Sequence, residues 1–172
     1  MKLTTRGRYA VTAMLDVATH STRGPVSLAE VAERQHLSLS YLEQLFARLR
    51  RGGLVRSSRG PGGGYRLSRD PAEISVADVI MAVDEPVDVT RCGGLVNCNQ
   101  DSRCLTHDLW VELSGQMQDF LSSRSLTDVL QRHLDARGNA PAAPIWQREC
   151  QSPRRTIPIA AAPGQAAGSS EA

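Results

Sequence analysis

The sequence contains no apolar run that approaches the roughly 18 residues of a membrane-spanning helix. Its first apolar stretch, residues 9–18, is short, includes Asp16 and is not followed by the small-residue cleavage site of a signal peptide. We therefore expect a cytoplasmic protein that has no membrane partner. Because that compartment keeps thiols reduced, the four cysteines favour metal or redox use over a structural disulfide.

Apolar residues are also scarce near the carboxyl terminus. Residues 139–172 contain five of the nine prolines and a run of Ala, Gly and Ser, with no amphipathic period. Such a segment cannot bury enough apolar surface to offset the entropy of ordering it, so we predict a disordered tail. Cys150 lies in this tail without a neighbouring ligand, and we interpret it as an incidental thiol.

The net charge of +2 hides an uneven distribution along the chain. Residues 1–70 contain 12 Lys or Arg and 5 Asp or Glu, whereas residues 71–138 contain 5 and 11. A basic unit followed by an acidic one indicates a polyanion-binding head on a body with a different task.

Apolar spacing and capping signals predict a helix-turn-helix at about residues 28–51, behind a leading helix over residues 5–20. The second helix begins with a capping box of Ser27 and Glu30. The third begins at Ser38 or Ser40, where Ser40 and Glu43 have the spacing of another box, and it ends at Gly52-Gly53. Its buried stripe is predicted to consist of Leu42, Leu45, Phe46 and Leu49.

Two strand-like runs flank the glycine-rich segment 60–64, which predicts a hairpin over about residues 54–67. A hairpin directly after a helix-turn-helix is typical of a winged helix. A further capped helix from Ser75 to Val83 completes a predicted DNA-binding domain over residues 1–86. The fold class is therefore mainly α.

A recognition helix anchors one face to its own domain and presents the other to the major groove. We predict that double-stranded DNA is the partner and that Arg59, at the hairpin tip, enters a narrow minor groove. Three arginines are expected to neutralise phosphates: Arg48, Arg50 and Arg51. The base-contacting side chains are predicted to be Ser38, Ser40, Tyr41, Glu43 and Gln44.

The loop over residues 87–107 carries the pattern Cys92-x5-Cys98-x5-Cys104-x2-His107. Three thiolates and an imidazole satisfy either one zinc ion or two cluster irons. The absence of a C-x2-C pair favours an iron–sulfur cluster, and a structural zinc site remains the alternative. A thiol enzyme is disfavoured because the other histidines, His20, His36 and His133, form no acid–base constellation.

A long helix is predicted from about Leu105 to Leu121, so that Cys104 and His107 share a face at its start. A shorter helix follows from Ser125, and together they form the predicted segment 108–138. The apolar stripe of the long helix consists of Leu109, Trp110, Leu113, Met117 and Phe120.

These features together resemble the IscR-type family of iron–sulfur cluster regulators. The resemblance lies in the opening Met1–Val11, the segment Ser40–Phe46, the wing Arg59–Tyr65 and the three cysteines with His107. It implies a homodimer paired through the long helix, with one [2Fe–2S] cluster per subunit supplied by the cluster assembly machinery. It also implies repression of cluster assembly genes when the cluster is present, and a second class of DNA sites bound without it. The glutamate that Glu43 matches is thought to restrict the sites of the empty form.

Nitric-oxide-sensing siblings share this fold and cysteine spacing but are thought to take a carboxylate ligand from the first helix. Here that region carries Arg6 and Arg8, and His107 is present, so the sibling function is disfavoured.

Overall fold

The computed structural model describes residues 4–22, 24–85, 87–99 and 102–138. The predicted disordered tail, residues 139–172, lies outside this part of the chain, as does Cys150. None of the helices in the described ranges has the length and hydropathy of a membrane span. The elements are α1 (Thr5–His20), α2 (Leu28–Gln35), α3 (Leu39–Arg51), β1 (Val55–Ser58), β2 (Gly64–Leu67), a 3-10 turn (Pro71–Glu73), α4 (Val76–Ala82), α5 (His107–Ser122) and α6 (Leu126–Gly138).

The capping box of Ser27 and Glu30 is confirmed, because each side chain bonds the backbone amide of the other residue. The predicted box of Ser40 and Glu43 is wrong. His36 closes α2 in the left-handed conformation, with φ 53°, which leaves Ser38 as the extended residue before α3. Ser40 therefore already lies inside α3, and its hydroxyl contacts that of Ser38 at 2.9 Å.

One hydrophobic core joins α1, α2, α3, the hairpin and the first turn of α6. The predicted stripe of α3 is buried, as are Ala10, Met14 and Val17 on α1. Leu126, the first residue of α6, is fully buried in the same core, and its amide donates to the carbonyl of Ile74 at 2.9 Å. The start of α6 therefore packs with the helix-turn-helix, and the predicted domain boundaries at residues 86 and 108 stay predictions.

A buried carboxylate fixes α2 against α1. Asp16, whose side chain is fully buried, accepts bonds from both Arg34 Nε and Nη2 and from Gln35 Nε2, the last at 2.7 Å. Burial by itself disfavours the charge, but the hydrogen bonds from Arg34 and Gln35 outweigh it and lower the pKa of Asp16. The carboxylate thereby stays ionised and holds the two helices together.

The predicted hairpin is confirmed as an antiparallel pair with Val55 opposite Leu67. The wing is attached to the head in two ways. Tyr65 exchanges backbone hydrogen bonds with Val26, and its ring packs edge-on to Phe46 of α3 at 4.8 Å. A Cβ at Gly64 would lie 2.4 Å from the carbonyl oxygen of Val26, so this close approach requires glycine.

The end of α4 is tied to both α1 and α3. The carboxylate of Glu85, which is buried, accepts hydrogen bonds from the amides of Thr4 and Gly7 in the first turn of α1. Arg48 of α3 binds the carboxylate of Asp84 at 2.5 Å and also donates to the Val83 carbonyl. Arg48, expected to neutralise phosphate, is therefore engaged within the protein because Asp84 supplies a nearer anion.

Candidate DNA-reading surface and metal centre

The first turns of α3 present a polar surface to solvent. Ser38, Ser40, Glu43 and Gln44 are all exposed, on the side of the helix opposite its buried stripe. Glu43 lies one turn inside the helix, and its carboxylate does not cap the start of α3 as the sequence predicted. Amide and carboxylate side chains at such positions match the edges of adenine and cytosine.

Tyr41 differs from these neighbours, because it is half-buried against the core. Its ring meets that of Tyr9 edge-on, with 6.1 Å between centroids. This contact holds Tyr41 between α3 and α1, so it is less available to DNA than the other predicted contacts.

Arg59 follows β1 directly and is exposed at the tip of the wing. Gly60 and Gly62 beside it have φ of 105° and 73°, a left-handed backbone that only glycine adopts without strain. The two other predicted phosphate ligands, Arg50 and Arg51, are exposed at the end of α3. The geometry therefore places one arginine at the tip of the wing and two at the end of α3.

Two of the predicted cysteine ligands converge on the imidazole of His107. Its Nδ1 lies 3.5 Å from Cys92 Sγ and 3.4 Å from Cys98 Sγ, and these three atoms all lie within 4.8 Å of one another. His107 is buried, with 5% of its surface exposed, at the first residue of α5. A rigid helix end therefore positions the nitrogen ligand, and the loop brings the sulfur atoms to it.

Cys104 lines the same cavity but does not belong to this close group. Its amide donates to Cys98 Sγ at 3.2 Å, and its own sulfur lies 3.8 Å from the hydroxyl of Thr106. The prediction that Cys104 and His107 share a helical face is wrong. The two are joined by a turn, because the helix begins only at His107, whose amide donates to the Cys104 carbonyl.

The four sulfur and nitrogen side chains surround a cavity of about 220 Å³. Sequence reasoning missed Thr90 and Thr106 among its lining residues and assigned Trp110 to dimerisation alone. Trp110 lies one helical turn after His107, and its indole donates to Thr106 at 3.1 Å. The three-residue spacing from His107 to Trp110 was the signal that could have placed the indole beside the site.

The three thiols differ in acidity. Desolvation opposes ionisation of Cys92, but the amides of Gly94 and Val96 outweigh it and lower its pKa. Cys98 accepts a hydrogen bond from the amide of Cys104, which lowers its pKa. Desolvation and the adjacent sulfurs of Cys92 and Cys104 outweigh this bond and raise the pKa of Cys98. The contact with Cys98 and the groups of Thr106 lower the pKa of Cys104. Thiolate is the form that binds metal, and the lowered pKa values favour this form at Cys92 and Cys104.

The donor set of three sulfurs and one imidazole fits a transition-metal ion or an iron–sulfur cluster. It does not fit a hard cation such as calcium or magnesium, which takes oxygen ligands.

The face of α5 beyond the metal cavity is largely uncovered. Leu109, Trp110 and Phe120 are 58%, 41% and 53% exposed, and Leu113 and Met117 are half-buried. Large apolar side chains exposed in a row along one helix are typical of an interaction surface.

Proteins similar to this chain are named as transcription regulators. Curated relatives named HTH-type transcriptional regulator IscR include one from Photorhabdus laumondii, 61% identical over 140 residues, with 80% of this chain and 85% of the relative covered. Another, from Vibrio cholerae, is 52% identical over 167 residues, with 95% and 96% covered.

Solved structures with the same fold include the IscR of T. potens. It is 38% identical, with a TM-score of 0.64 and coverage of 86% of this chain and 96% of that one. CymR, described as the global cysteine regulator of B. subtilis, is 33% identical, with a TM-score of 0.67 and coverage of 77% and 98%.

The family model described as Rrf2, iron-dependent transcriptional regulator, matches residues 3–132. The winged helix, the polar face of α3 and the Cys–His cavity thus occur in a chain whose relatives regulate transcription. The chain is a DNA-binding transcription regulator that belongs to the Rrf2 family.

Proposed function

We propose that this regulator is a cytoplasmic homodimer that senses a [2Fe–2S] cluster and represses genes for iron–sulfur cluster assembly when the cluster is bound. The observation that carries the proposal is the single cavity where Cys92, Cys98, Cys104 and His107 meet. The relatives named IscR support the choice of regulated genes. In this proposal the thiols act as ligands, and the protein has no catalytic role.

The distribution of the ligands favours a cluster over a single zinc ion. Four ligands bonded to one zinc at about 2.0–2.3 Å would all lie within about 4 Å of one another. Cys104 stands outside the close group of Cys92, Cys98 and His107, although it lines the same cavity. A binuclear cluster takes ligands on two irons and so accommodates a wider set.

A bound cluster would supply a redox-active iron centre whose presence reports the supply of clusters in the cell. Ligation would fix Cys92 and Cys98 of the loop against His107, the first residue of α5. The loop begins just after Asp84 and Glu85, which bind Arg48 of α3 and the first turn of α1. A change in the loop therefore reaches α3 through charged contacts, and this biases which DNA sites the protein accepts.

For DNA binding we propose that Gln44 and Glu43 read base edges, with Ser38 and Ser40 beside them and Tyr41 at the margin. All but Tyr41 are exposed on one surface. Arg59 of the wing would enter the minor groove. Glu43, which caps nothing in α3, is free to reject sites in the cluster-free form.

For dimerisation we propose that the apolar face of α5 packs against its copy in a second subunit. Leu109, Trp110 and Phe120 expose half of their surface or close to it, and pairing would remove that surface from water. A two-fold dimer would also present two α3 helices to DNA half-sites about 34 Å apart. The cluster assembly machinery would supply the cofactor of each subunit.

The deciding experiment measures iron, acid-labile sulfide, zinc and visible absorption on full-length protein purified without oxygen. We expect about two irons and two sulfides per chain, as a [2Fe–2S] cluster requires. Cys92→Ala should be colourless, whereas the matched control Cys150→Ala should keep the parent spectrum. Colourless parent protein with stoichiometric zinc would overturn the cluster and leave a structural zinc site on the same DNA-binding fold.

A further inference from the structure

Two arginines face each other across the wing. The strand register places Arg56 of β1 directly opposite Arg66 of β2. Their neighbours in the register, Val55 and Leu67, are buried in the core, so Arg56 and Arg66 point to the opposite, solvent-facing side of the ribbon. Both side chains are exposed.

This arrangement is unfavourable for the isolated protein. Like charges directly opposite each other in an antiparallel pair destabilise it, because their Cβ atoms lie only about 4.5–5.5 Å apart. Within the described residues, neither Arg56 nor Arg66 forms an ion pair, whereas Arg34 and Arg48 each bind a carboxylate. The other strand residues of the ribbon between them and the tip, Ser57, Ser58, Gly64 and Tyr65, carry no charge. Folding does not explain the pair, but an anionic partner would.

The position of the pair indicates which anion. Arg59 at the tip lies three residues beyond Arg56, which corresponds to about 10 Å of extended strand. The minor groove that would receive Arg59 is about 6 Å wide and is bordered by a sugar–phosphate strand on each side. Side chains about 10 Å back from an inserted tip therefore face the bordering phosphates and not the base edges.

We propose that Arg56 and Arg66 form a phosphate-binding pair that holds the wing on the sugar–phosphate strand beside the groove that Arg59 enters. This inference rests on the proposed placement of the wing on DNA. The pair reads no sequence, since phosphates are the same at every base pair. It stabilises the bound wing because the phosphates neutralise the repulsion that the free hairpin carries.

The test compares the parent with the double variant Arg56→Gln/Arg66→Gln by fluorescence anisotropy on two 40-base-pair duplexes, one AT-rich and one GC-rich. Affinities are measured from 0.05 to 0.3 M KCl. Each lost phosphate contact makes the negative slope of log K against log salt shallower by about 0.9, so we expect the slope to become less negative by about 1.8 on both duplexes. For equal affinities at 1 M salt, where the counterion term vanishes, this difference in slope corresponds to binding that is roughly 30-fold weaker at 0.15 M salt.

Three controls separate this role from others. The variant Arg56→Lys/Arg66→Lys should keep most of the parent slope, and Arg132→Gln, an exposed arginine on α6, should leave it unchanged. The Gln double variant should melt at the same temperature as the parent or higher, because the repulsion is gone.

An unchanged slope in the Gln variant, with the parent binding both duplexes, would overturn the phosphate pair while leaving the DNA-binding proposal in place. Loss confined to one duplex would replace phosphate binding by base reading. A lower melting temperature would make the pair structural. A parent that binds neither duplex at any salt concentration would overturn both proposals.

Discussion

Replacement of Leu126 by alanine tests whether α6 belongs to the core of the DNA-reading head. Leu126 is fully buried among residues of α1 and the 3-10 region, and its amide is bonded to Ile74. Truncation of a buried leucine removes its transfer free energy and leaves a cavity, at a cost of about 2–5 kcal/mol. Because domains of this size are stable by only about 5–15 kcal/mol, the loss is a large part of the total.

The same substitution at Leu134 is a matched control. Leu134 lies two turns later on α6 and is 60% exposed, so Leu134→Ala should change the free energy of unfolding by no more than about 0.5 kcal/mol. Both variants are compared with the parent by urea unfolding, followed by far-ultraviolet circular dichroism at one fixed protein concentration. Equal losses in the two variants would refute the assignment. So would a Leu126→Ala curve with an early separate transition of α5 and α6, since a shared core unfolds cooperatively.

Two further substitutions test buried polar contacts. Asp16→Asn should lower the free energy of unfolding by about 2 kcal/mol at pH 7. Hydrogen bonds to a charged group contribute about 1.5–3 kcal/mol, and Arg34 is partly exposed. Because folding lowers the pKa of Asp16, this stability is present above the ordinary carboxyl pKa and is lost as pH falls through the lowered value. Urea unfolding from pH 7 to 3 should therefore show the gap between parent and variant closing, and a constant gap would contradict the ion pair. Gly7→Ala should destabilise the protein by about 1–3 kcal/mol, since the new Cβ would lie 2.7 Å from Glu85 Oε2. Gly115→Ala, at a helical glycine with open space around it, should instead stabilise the protein by about 0.5–1 kcal/mol. A higher melting temperature in both the Gly7→Ala and the Gly115→Ala variant would contradict the close contact at Gly7.

Much of the fold could be predicted because the relevant signals are local. The spacing of Leu42, Leu45, Phe46 and Leu49 places one apolar face on α3, and the structure buries all four. Ser27 with Glu30 and the glycines of residues 60–64 likewise act on neighbouring residues, so a capped helix and a hairpin follow directly.

Predictions from local sequence were wrong where the same residues are compatible with two local structures. Ser38 and Ser40 are both suitable residues for a helix N-cap. The left-handed conformation of His36 at the end of α2 places Ser38, and not Ser40, at that position. The three-residue spacing of Cys104 and His107 fits a helix or a turn, and the structure has a turn.

The candidate site was predictable in composition but not in arrangement. The cysteine pattern predicts the four side chains around the cavity. Sequence spacing does not predict that the ligand atoms of Cys92, Cys98 and His107 lie closest together. The contacts of Glu85 with Gly7 and of Arg48 with Asp84 join residues 78 and 36 positions apart, so no local pattern announces them.

The buried anchor at Glu85 has a consequence for how such proteins diversify. It is the last described residue that the head holds before the cysteine loop, and it is held by the backbone amides of Thr4 and Gly7, the second at a position where a side chain would meet its carboxylate. A loop grafted after it would inherit a fixed starting point on α1, whatever its length or ligands. The winged helix can therefore carry loops with other ligand sets, and each such loop would act on DNA binding through the same contacts of Asp84 with α3 and of Glu85 with α1.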